Sequence, residues 1–498
     1  MTRSLLLALL LTVPAAGAQD LGQTEFANSG AAEAQEPFLR GLLLLHSFEY
    51  DDARDAFREA RAVDPDFAMA AWGEAMTHNH PIWMRQDRDA ARAALGDFFR
   101  LGAEADGVTD RERAYLSTLA VLFGDGDKED RDDRYAEAMR RLADTYPDDL
   151  DARSFYALAL LGTAHDGRDY GTYMQAAAVA EEVFAENPRH PGAAHYLIHA
   201  YDDPVHAPLG LRPARVYDRI APAASHALHM PSHIYLALGM WPEVRDMNRR
   251  SFDAARAASD RRGEPLNGHG WHALYWLAYA QMQLGESDEA VQTLQLAETL
   301  YDTDPSSTSL HHVVRIRAHV ALGVSLRDFV IADALLREAW RDLPREEMDA
   351  TTEAVDLVGQ VHALAFASDS DATAIADRLA ALGAEPDAAP AVRVMALMYG
   401  PGVLVEGPDR DDSAVVGALR EAVRIVDGLP ISFGPPTPTM LPHELLLTFV
   451  GEEGVSDDEG RCLLERLGER VPGRRVTALF GSSVPPGPSG ACDGRAAD

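Results

Sequence analysis

The sequence contains histidine pairs at a spacing that suits metal binding. Nine of its 18 histidines lie within residues 190–272. His195 and His199 form one pair and His229 and His233 another, the members of each pair being four positions apart. On an α-helix that spacing projects both rings from one face. Neutral imidazoles bind Zn, Cu, Fe and Ni, so the two pairs predict a transition-metal site.

The predicted site holds one ion, Zn, Cu or Fe, on the four paired histidines. Asp202 or the adjacent Asp203 is predicted to act either as a further ligand or as the hydrogen-bond partner of a ligand. An open coordination position would permit hydrolytic or oxidative chemistry. The same histidines could instead cap helices, pair with carboxylates or form a pH-sensitive surface, and the sequence leaves these alternatives open.

The helices that would carry these pairs belong to a repeated pattern. Ala53, Phe57, Ala60 and Pro65 have the spacing that ends a helix-pair repeat of about 34 residues, the tetratricopeptide (TPR) repeat, and counting back places its start at Ala34. Similar spacings recur along the chain. Because one helix pair cannot bury its apolar face alone, neighbouring pairs stack and share a core. The sequence therefore predicts an all-α, TPR-type superhelical solenoid of antiparallel helix pairs.

The repeat register predicts that the histidine pairs lie on the inner surface of this solenoid. One repeat is predicted to occupy residues 191–224 and the next to begin at Ser225. Both pairs then take the fifth and ninth positions of their repeats, which line the concave groove in TPR arrays generally. Adjacent first helices lie roughly 10 Å apart, so the pairs could meet on one ion. A wider set is predicted to line the same groove, namely His80, Asp203, His226, His272, Tyr275 and Tyr279.

Four segments are predicted along the chain. Residues 1–18 read as a secretory signal peptide, with cleavage after Ala18 and a periplasmic or secreted mature protein. Residues 19–345 are predicted to form the TPR solenoid, and residues 346–481 further TPR-like helical repeats. The tail, residues 482–498, is rich in Pro, Gly and Ser and is predicted to be disordered. In an exported protein Cys462 and Cys492 could pair.

The charge balance excludes some classes of partner. The net charge of −34 would repel nucleic acid and anionic lipid. The apolar stretch at the N-terminus is too short to span a bilayer, and the later sequence has no long apolar run, so membrane insertion is not expected. A protein or peptide partner is the expectation for a repeat solenoid.

Several short motifs resemble those of a family of exported bacterial TPR-containing proteins. They are Trp72-Gly73-Glu74-Ala75-Met76, Asn79-His80-Pro81, His190-Pro191-Gly192-Ala193-Ala194-His195-Tyr196, His229-Met230-Pro231-Ser232-His233-Ile234-Tyr235, Phe433-Gly434-Pro435-Pro436 and Pro442-His443-Glu444-Leu445-Leu446. The resemblance implies the fold and export, and it implies no reaction. Two functions are therefore weighed. One is a binding module whose groove holds a peptide, protein or small ligand. The other is a metal-dependent hydrolase or oxidoreductase.

Overall fold

A computed structural model describes residues 21–96, 107–325, 343–363, 369–400, 403, 411–431, 434–451 and 454–474. The predicted signal peptide and the predicted C-terminal tail lie outside these residues. So does a helix that the periodicity predicts over residues 329–340.

The described residues are mainly helical, which confirms the predicted all-α class. Their α-helices are α1 Gln35–His46, α2 Tyr50–Val63, α3 Ala68–Met76, α4 Arg88–Leu95, α5 Asp110–Leu122, α6 Lys128–Thr145, α7 Leu150–Leu161, α8 Tyr170–Glu186, α9 Pro191–Ala200, α10 Ala207–Ile220, α11 Ser225–His229, α12 Pro231–Ala237, α13 Trp241–Arg262, α14 Gly268–Leu284, α15 Ser287–Thr303, α16 Ser307–Ser325, α17 Ala350–Ala363, α18 Asp369–Gly383, α19 Pro390–Tyr399, α20 Asp412–Asp427, α21 Pro442–Leu446 and α22 Asp457–Arg470. Two short antiparallel strands, β1 Asn79–His80 and β2 Arg85–Gln86, follow α3.

Consecutive helices pack as pairs, and each pair packs on the next, as in a TPR superhelix. Phe57 on α2 shows why glycine occurs on the helices to either side of it. A Cβ at Gly41 would lie 2.9 Å from Phe57 Cδ1, and a Cβ at Gly73 would lie 2.3 Å from Phe57 Cε1. Only glycine therefore allows α1 and α3 to approach this ring so closely.

The helix that begins at Ser225 is divided into two short pieces. α11 ends at His229 and α12 begins at Pro231, with Met230 between them. Proline has no N–H to continue the helical hydrogen bonds, so the break falls at the proline. Both pieces nevertheless keep the helical backbone direction, because Met230 is itself in the right-handed helical region. The histidine pair thus spans the break.

The concave side of the solenoid is closed at the central repeats. The first helix, α1, packs against α9, far along the chain. The turn after α1 brings in Phe48, which has a positive φ of 55° and packs on the rings of His195, His199 and His226. A side chain from the first repeat therefore fills space that an open groove would leave to solvent.

Residues of the C-terminal repeats cover a neighbouring part of the inner face. A Cβ at Gly434, where φ is 89°, would lie 2.6 Å from Trp276 Cζ2. Trp241 Nε1 donates to the carbonyl of Gly473 over 2.8 Å. Gly434 thus packs against Trp276 on α14, and Gly473 contacts Trp241 at the start of α13.

Two further observations bear on the predicted setting of the protein. Within the described part of the chain, no helix is long and apolar enough to cross a membrane. Cys462 on α22 is disulfide-bonded, and the other cysteine of the chain, Cys492, lies outside the described residues.

Candidate metal centre in the central repeats

The two histidines of each predicted pair lie close together. His195 and His199 lie one helical turn apart on α9, and their Nε2 atoms are 3.1 Å apart. His229 ends α11 and His233 lies on α12, with Nε2 atoms 3.0 Å apart. All four rings are buried. The edge of a tetrahedron with metal–nitrogen bonds of 2.0–2.1 Å is about 3.3 Å. Each pair therefore has the separation that two ligands of one ion require.

The structure places the four histidines in two groups of three, each completed by a histidine that the register had assigned to the wider groove. The inner group is His195, His199 and His226, and one ring nitrogen from each lies within 4.8 Å of the others. The outer group is defined by the same distance and comprises His229, His233 and His272.

The inner group is buried on every side. His195 Nδ1 donates to the carbonyl of His46 over 2.7 Å, which leaves its Nε2 without a hydrogen. His226 is held through its backbone N–H, which donates to Glu49 Oε1 over 2.8 Å. The Nε2 atom of His226 is buried and has no hydrogen-bond partner among the described residues. A buried nitrogen without a partner is costly, so this atom favours an occupant that the protein itself does not supply.

The outer group has its ring orientations fixed by hydrogen bonds to Nδ1. His233 Nδ1 lies 2.7 Å from Asp202 Oδ2, and His229 Nδ1 lies 2.6 Å from Asn248 Oδ1. The Asn248 amide is oriented by its Nδ2, which donates to the carbonyl of Val244 over 2.8 Å. Both Nδ1 atoms must therefore be the donors. The third member, His272, is partly exposed, and its ring centre is 4.7 Å from that of His229.

These hydrogen bonds determine what can occupy the outer group. With Nδ1 as the donor on both rings, any ring without a second proton presents a bare Nε2 lone pair to the other ring at 3.0 Å. Two lone pairs at that distance repel unless a proton or a metal ion lies between them. Hydrogen bonds from Nδ1 to a carboxylate or an amide oxygen are the arrangement that commonly orients histidine ligands around a metal.

Burial disfavours the protonated form of most of these rings. Burial lowers the pKa of His229 well below its usual value, because the imidazolium form loses its hydration. Desolvation likewise lowers the pKa of His195 to about 3 and that of His199, His226 and His272 well below the usual range. These five rings are neutral at pH 7, which is the protonation state that metal ligation requires.

Trp276 covers the outer group as Phe48 covers the inner one. Its ring centre lies 4.8 Å from that of His229 and 4.6 Å from that of His233. An apolar cover of this kind restricts water and strengthens every electrostatic interaction beneath it.

A third cluster consists of His46, Asp151 and His190. His46 Nε2 lies 2.8 Å and His190 Nε2 lies 3.3 Å from Asp151 Oδ1, and Thr24 donates to the other carboxylate oxygen over 2.7 Å. Desolvation lowers the pKa of His46 to about 4. His190 Nδ1 accepts from the Ala193 N–H over 3.2 Å, so the hydrogen of this ring is on Nε2, which faces Asp151 without a well-aligned hydrogen bond. Because His190 offers no lone pair to an ion between these residues, the cluster is a structural network. It also fixes His46, whose carbonyl accepts from His195.

The other residues predicted to line the groove have partners of their own. His80 stacks on Tyr50 with ring centres 4.0 Å apart, Tyr275 donates to or accepts from His319 Nε2 over 2.9 Å, and Tyr279 packs on Trp241. Asp203, the second carboxylate predicted for the site, belongs instead to a buried ion pair outside both histidine groups.

That ion pair joins Asp203 to Arg168 over 2.7 Å, and His206 Nδ1 also lies 2.9 Å from the same carboxylate. Asp203 therefore fixes the turn before α10, whereas Asp202 contacts the outer group. The sequence offered no signal for His46, Asn248 or Phe48, because each reaches the site from a distant repeat or from the second helix of its own.

Comparison with known proteins gives one match to a family model, the tetratricopeptide repeat, over residues 272–302. Comparison with curated proteins found no match. Among solved structures, a human IFIT1 dimer with PPP-AAAA aligns at 11% identity over 91% of this chain and 92% of that chain, with a TM-score of 0.36. The TPR domain of P58(IPK) aligns at 14% identity over 80% of this chain and 99% of that chain, with a TM-score of 0.18. The matched repeat and the stacked helix pairs show that the chain contains tetratricopeptide repeats.

Proposed function

We propose that this chain is an exported TPR binding protein whose central repeats hold a transition-metal ion on His229, His233 and His272. Asp202 orients His233 from outside the coordination shell. The ion is copper or zinc rather than iron, since the group offers three neutral imidazoles and no carboxylate. A periplasmic or secreted location accords with the signal-like N-terminal sequence.

One observation carries the proposal, namely two Nε2 atoms 3.0 Å apart in a buried site, on rings whose Nδ1 atoms each face an oxygen acceptor. A purely structural pair of histidines would have one ring donate to the other. Here the donors of both rings are already engaged by Asp202 and Asn248. A cation between the two nitrogens removes the repulsion and supplies both with a partner.

The TPR array supplies the binding surface. TPR domains generally bind protein partners, and stacked repeats present extended surfaces for them. Because the inner face at residues 195–233 is filled by Phe48 and Trp276, a protein or peptide partner of this chain binds at another surface of the array. The metal ion then stabilises the repeats from within.

A second candidate is a metal-dependent hydrolase or oxidoreductase. The observation that favours it is the number of ligands. Three protein nitrogens leave at least one coordination position for water or a substrate, as in catalytic zinc sites. The partial exposure of His272 gives that position a route to solvent.

Elemental analysis of the purified mature protein tests the metal site. The protein is prepared without chelator, and its metal content and melting temperature are compared with those of a His229→Gln/His233→Gln variant. His165→Gln is the matched control, because His165 also contacts a carboxylate, Asp133 Oδ1 at 3.0 Å, but lies outside all three clusters.

The expected result is copper or zinc in the wild type and the control, with loss of the metal in the double variant. Metal addition should raise the melting temperature of the stripped wild type only where the pair is intact. Equal metal content in the double variant, or no metal and no metal-dependent shift in the wild type, would exclude the site.

A further inference from the structure

The two histidine groups lie side by side with no protein layer between them. The ring centres of His199 and His233 are 6.2 Å apart, and those of His226 and His229 are 6.0 Å apart. Each of these contacts joins one ring of the inner group to one ring of the outer group. Two separate contacts of this kind mean that an ion in either group would have the ligands of the other as its neighbours.

The inner group has its own reason to hold an ion. Its Nε2 atoms of His195 and His199 are 3.1 Å apart, close to a tetrahedral ligand edge. His226 Nε2 is buried and without a partner among the described residues, although its group brings it within 4.8 Å of the other two nitrogens. Three donors are thus available for a second ion, as in the outer group.

The balance of charge around such a pair of ions is positive. Neither group contains a carboxylate. Two acidic side chains contact residues of these groups from outside the coordination shells, since Asp202 contacts His233 Nδ1 and Glu49 accepts from Ser225 Oγ and the His226 N–H. Two divalent ions held by six imidazole rings and no carboxylate would therefore attract a small anion between them.

We propose that the two groups form one dinuclear centre, with a copper or zinc ion in each and a small oxygen anion such as hydroxide bridging them. This inference rests on the proposed function, because it adds a second ion to the first. The hydroxide comes from a metal-bound water that releases one proton to solvent, which two adjacent cations make favourable at neutral pH. Paired metal sites hold their ions about 3.5–4 Å apart, which is the separation that the proposal requires.

The size of the bridging ligand follows from the covers of the site. Phe48 packs on all three rings of the inner group, and Trp276 packs on the rings of the outer group. These aromatic rings leave no room at the metals for a peptide. The centre therefore takes a ligand of one or two oxygen atoms, hydroxide or a comparable small anion.

Copper loading with spin counting by electron paramagnetic resonance tests the pair directly. The full mature chain is stripped and loaded with Cu(II), and both the copper content and the integrated signal are measured. We expect about two copper ions per chain and an integrated signal well below one spin per copper, because an oxygen bridge couples the two spins. X-ray absorption of the same sample should show a copper–copper vector at about 3.5–4 Å.

A single-site variant distinguishes a failed pair from a failed metal site. His226→Gln removes one inner ligand, so copper should fall to about half and the remaining ion should give its full signal. His165→Gln should behave as the wild type. One copper per wild-type chain, or two copper ions with full uncoupled signals, would overturn the dinuclear centre and leave the outer site standing. Absence of bound copper would overturn both.

Discussion

Replacement of Asp202 by asparagine tests how the outer group is organised. Asp202 Oδ2 lies 2.7 Å from His233 Nδ1, and its side chain is only 6% exposed. Water therefore cannot readily take its place. Asparagine has nearly the same shape and can still accept the hydrogen bond, so Asp202→Asn removes the charge while it retains the ring orientation. The change therefore isolates how much the Asp202 carboxylate raises the basicity of His233 Nε2, the proposed metal ligand.

The expected loss follows from the behaviour of such outer-shell partners. Their removal lowers metal affinity by roughly 10- to 100-fold, which corresponds to about 1.4–2.7 kcal/mol. Asp202→Asn should fall at the lower end, because the hydrogen bond survives. Asp202→Ala should fall at the upper end, since the Nδ1–H of His233 would then be buried without an acceptor.

The assay is competition for Zn²⁺ or Cu²⁺ between the protein and a chelator of known affinity, with circular dichroism as a check on folding. The matched control is Asp133→Asn, which removes the charge from another Asp–His pair. Its carboxylate accepts from His165, is 61% exposed and lies far from the cluster in sequence. Unchanged affinity in Asp202→Asn, or an equal loss in Asp133→Asn, would refute a role of Asp202 in tuning His233.

Two further predictions concern stability. The free energy of unfolding of the metal-free chain should fall as the pH decreases from 6.5 to about 4, because desolvation lowers the pKa of His46 and His362 to about 4 and the unfolded chain binds these protons first. The stabilisation from keeping these rings neutral is complete above pH 6.5, and each ring contributes at most about 3 kcal/mol between pH 6.5 and 4. A free energy of unfolding in urea that did not change over this pH range would contradict the lowered pKa values. Gly73→Ala should destabilise the chain by about 1–3 kcal/mol, because the new methyl group meets Phe57. Gly417→Ala, on α20 with nothing within 4 Å, should stabilise it by about 0.5–1 kcal/mol, and thermal unfolding that gave both changes the same sign would contradict the packing.

Local signals in the sequence located most of the helices. The predicted repeat start at Ala34 is one residue from the observed start of α1, and the repeats predicted at residue 191 and at Ser225 begin there in the structure. The helix that carries His272 begins at Gly268, where Asn267 caps it by accepting from the Gly270 N–H. An asparagine before a helical stretch is a capping signal, so this boundary was available in the sequence.

The site was only half predictable for a physical reason. Helical spacing brings His195 to His199 and His229 to His233, and that information is local. The third member of each group depends on how the helices sit against each other, as does the choice between one shared ion and two adjacent ones. The contact of His46 with His195 could not be predicted from the local sequence, because it depends on the curvature that brings α1 against α9.

That curvature determines whether the histidines can contact a bound peptide. In an open TPR groove, inward-facing polar side chains would contact a bound peptide. Here the same positions are buried beneath Phe48 from the first repeat and Trp276 from the repeat that follows. The Nδ1 atoms of His195, His229 and His233 are engaged by oxygen acceptors beneath these covers. If these rings hold the proposed metal ion, the metal centre and the partner-binding surface are separate, and metal binding would affect a partner through the stability of the repeats rather than through direct contact.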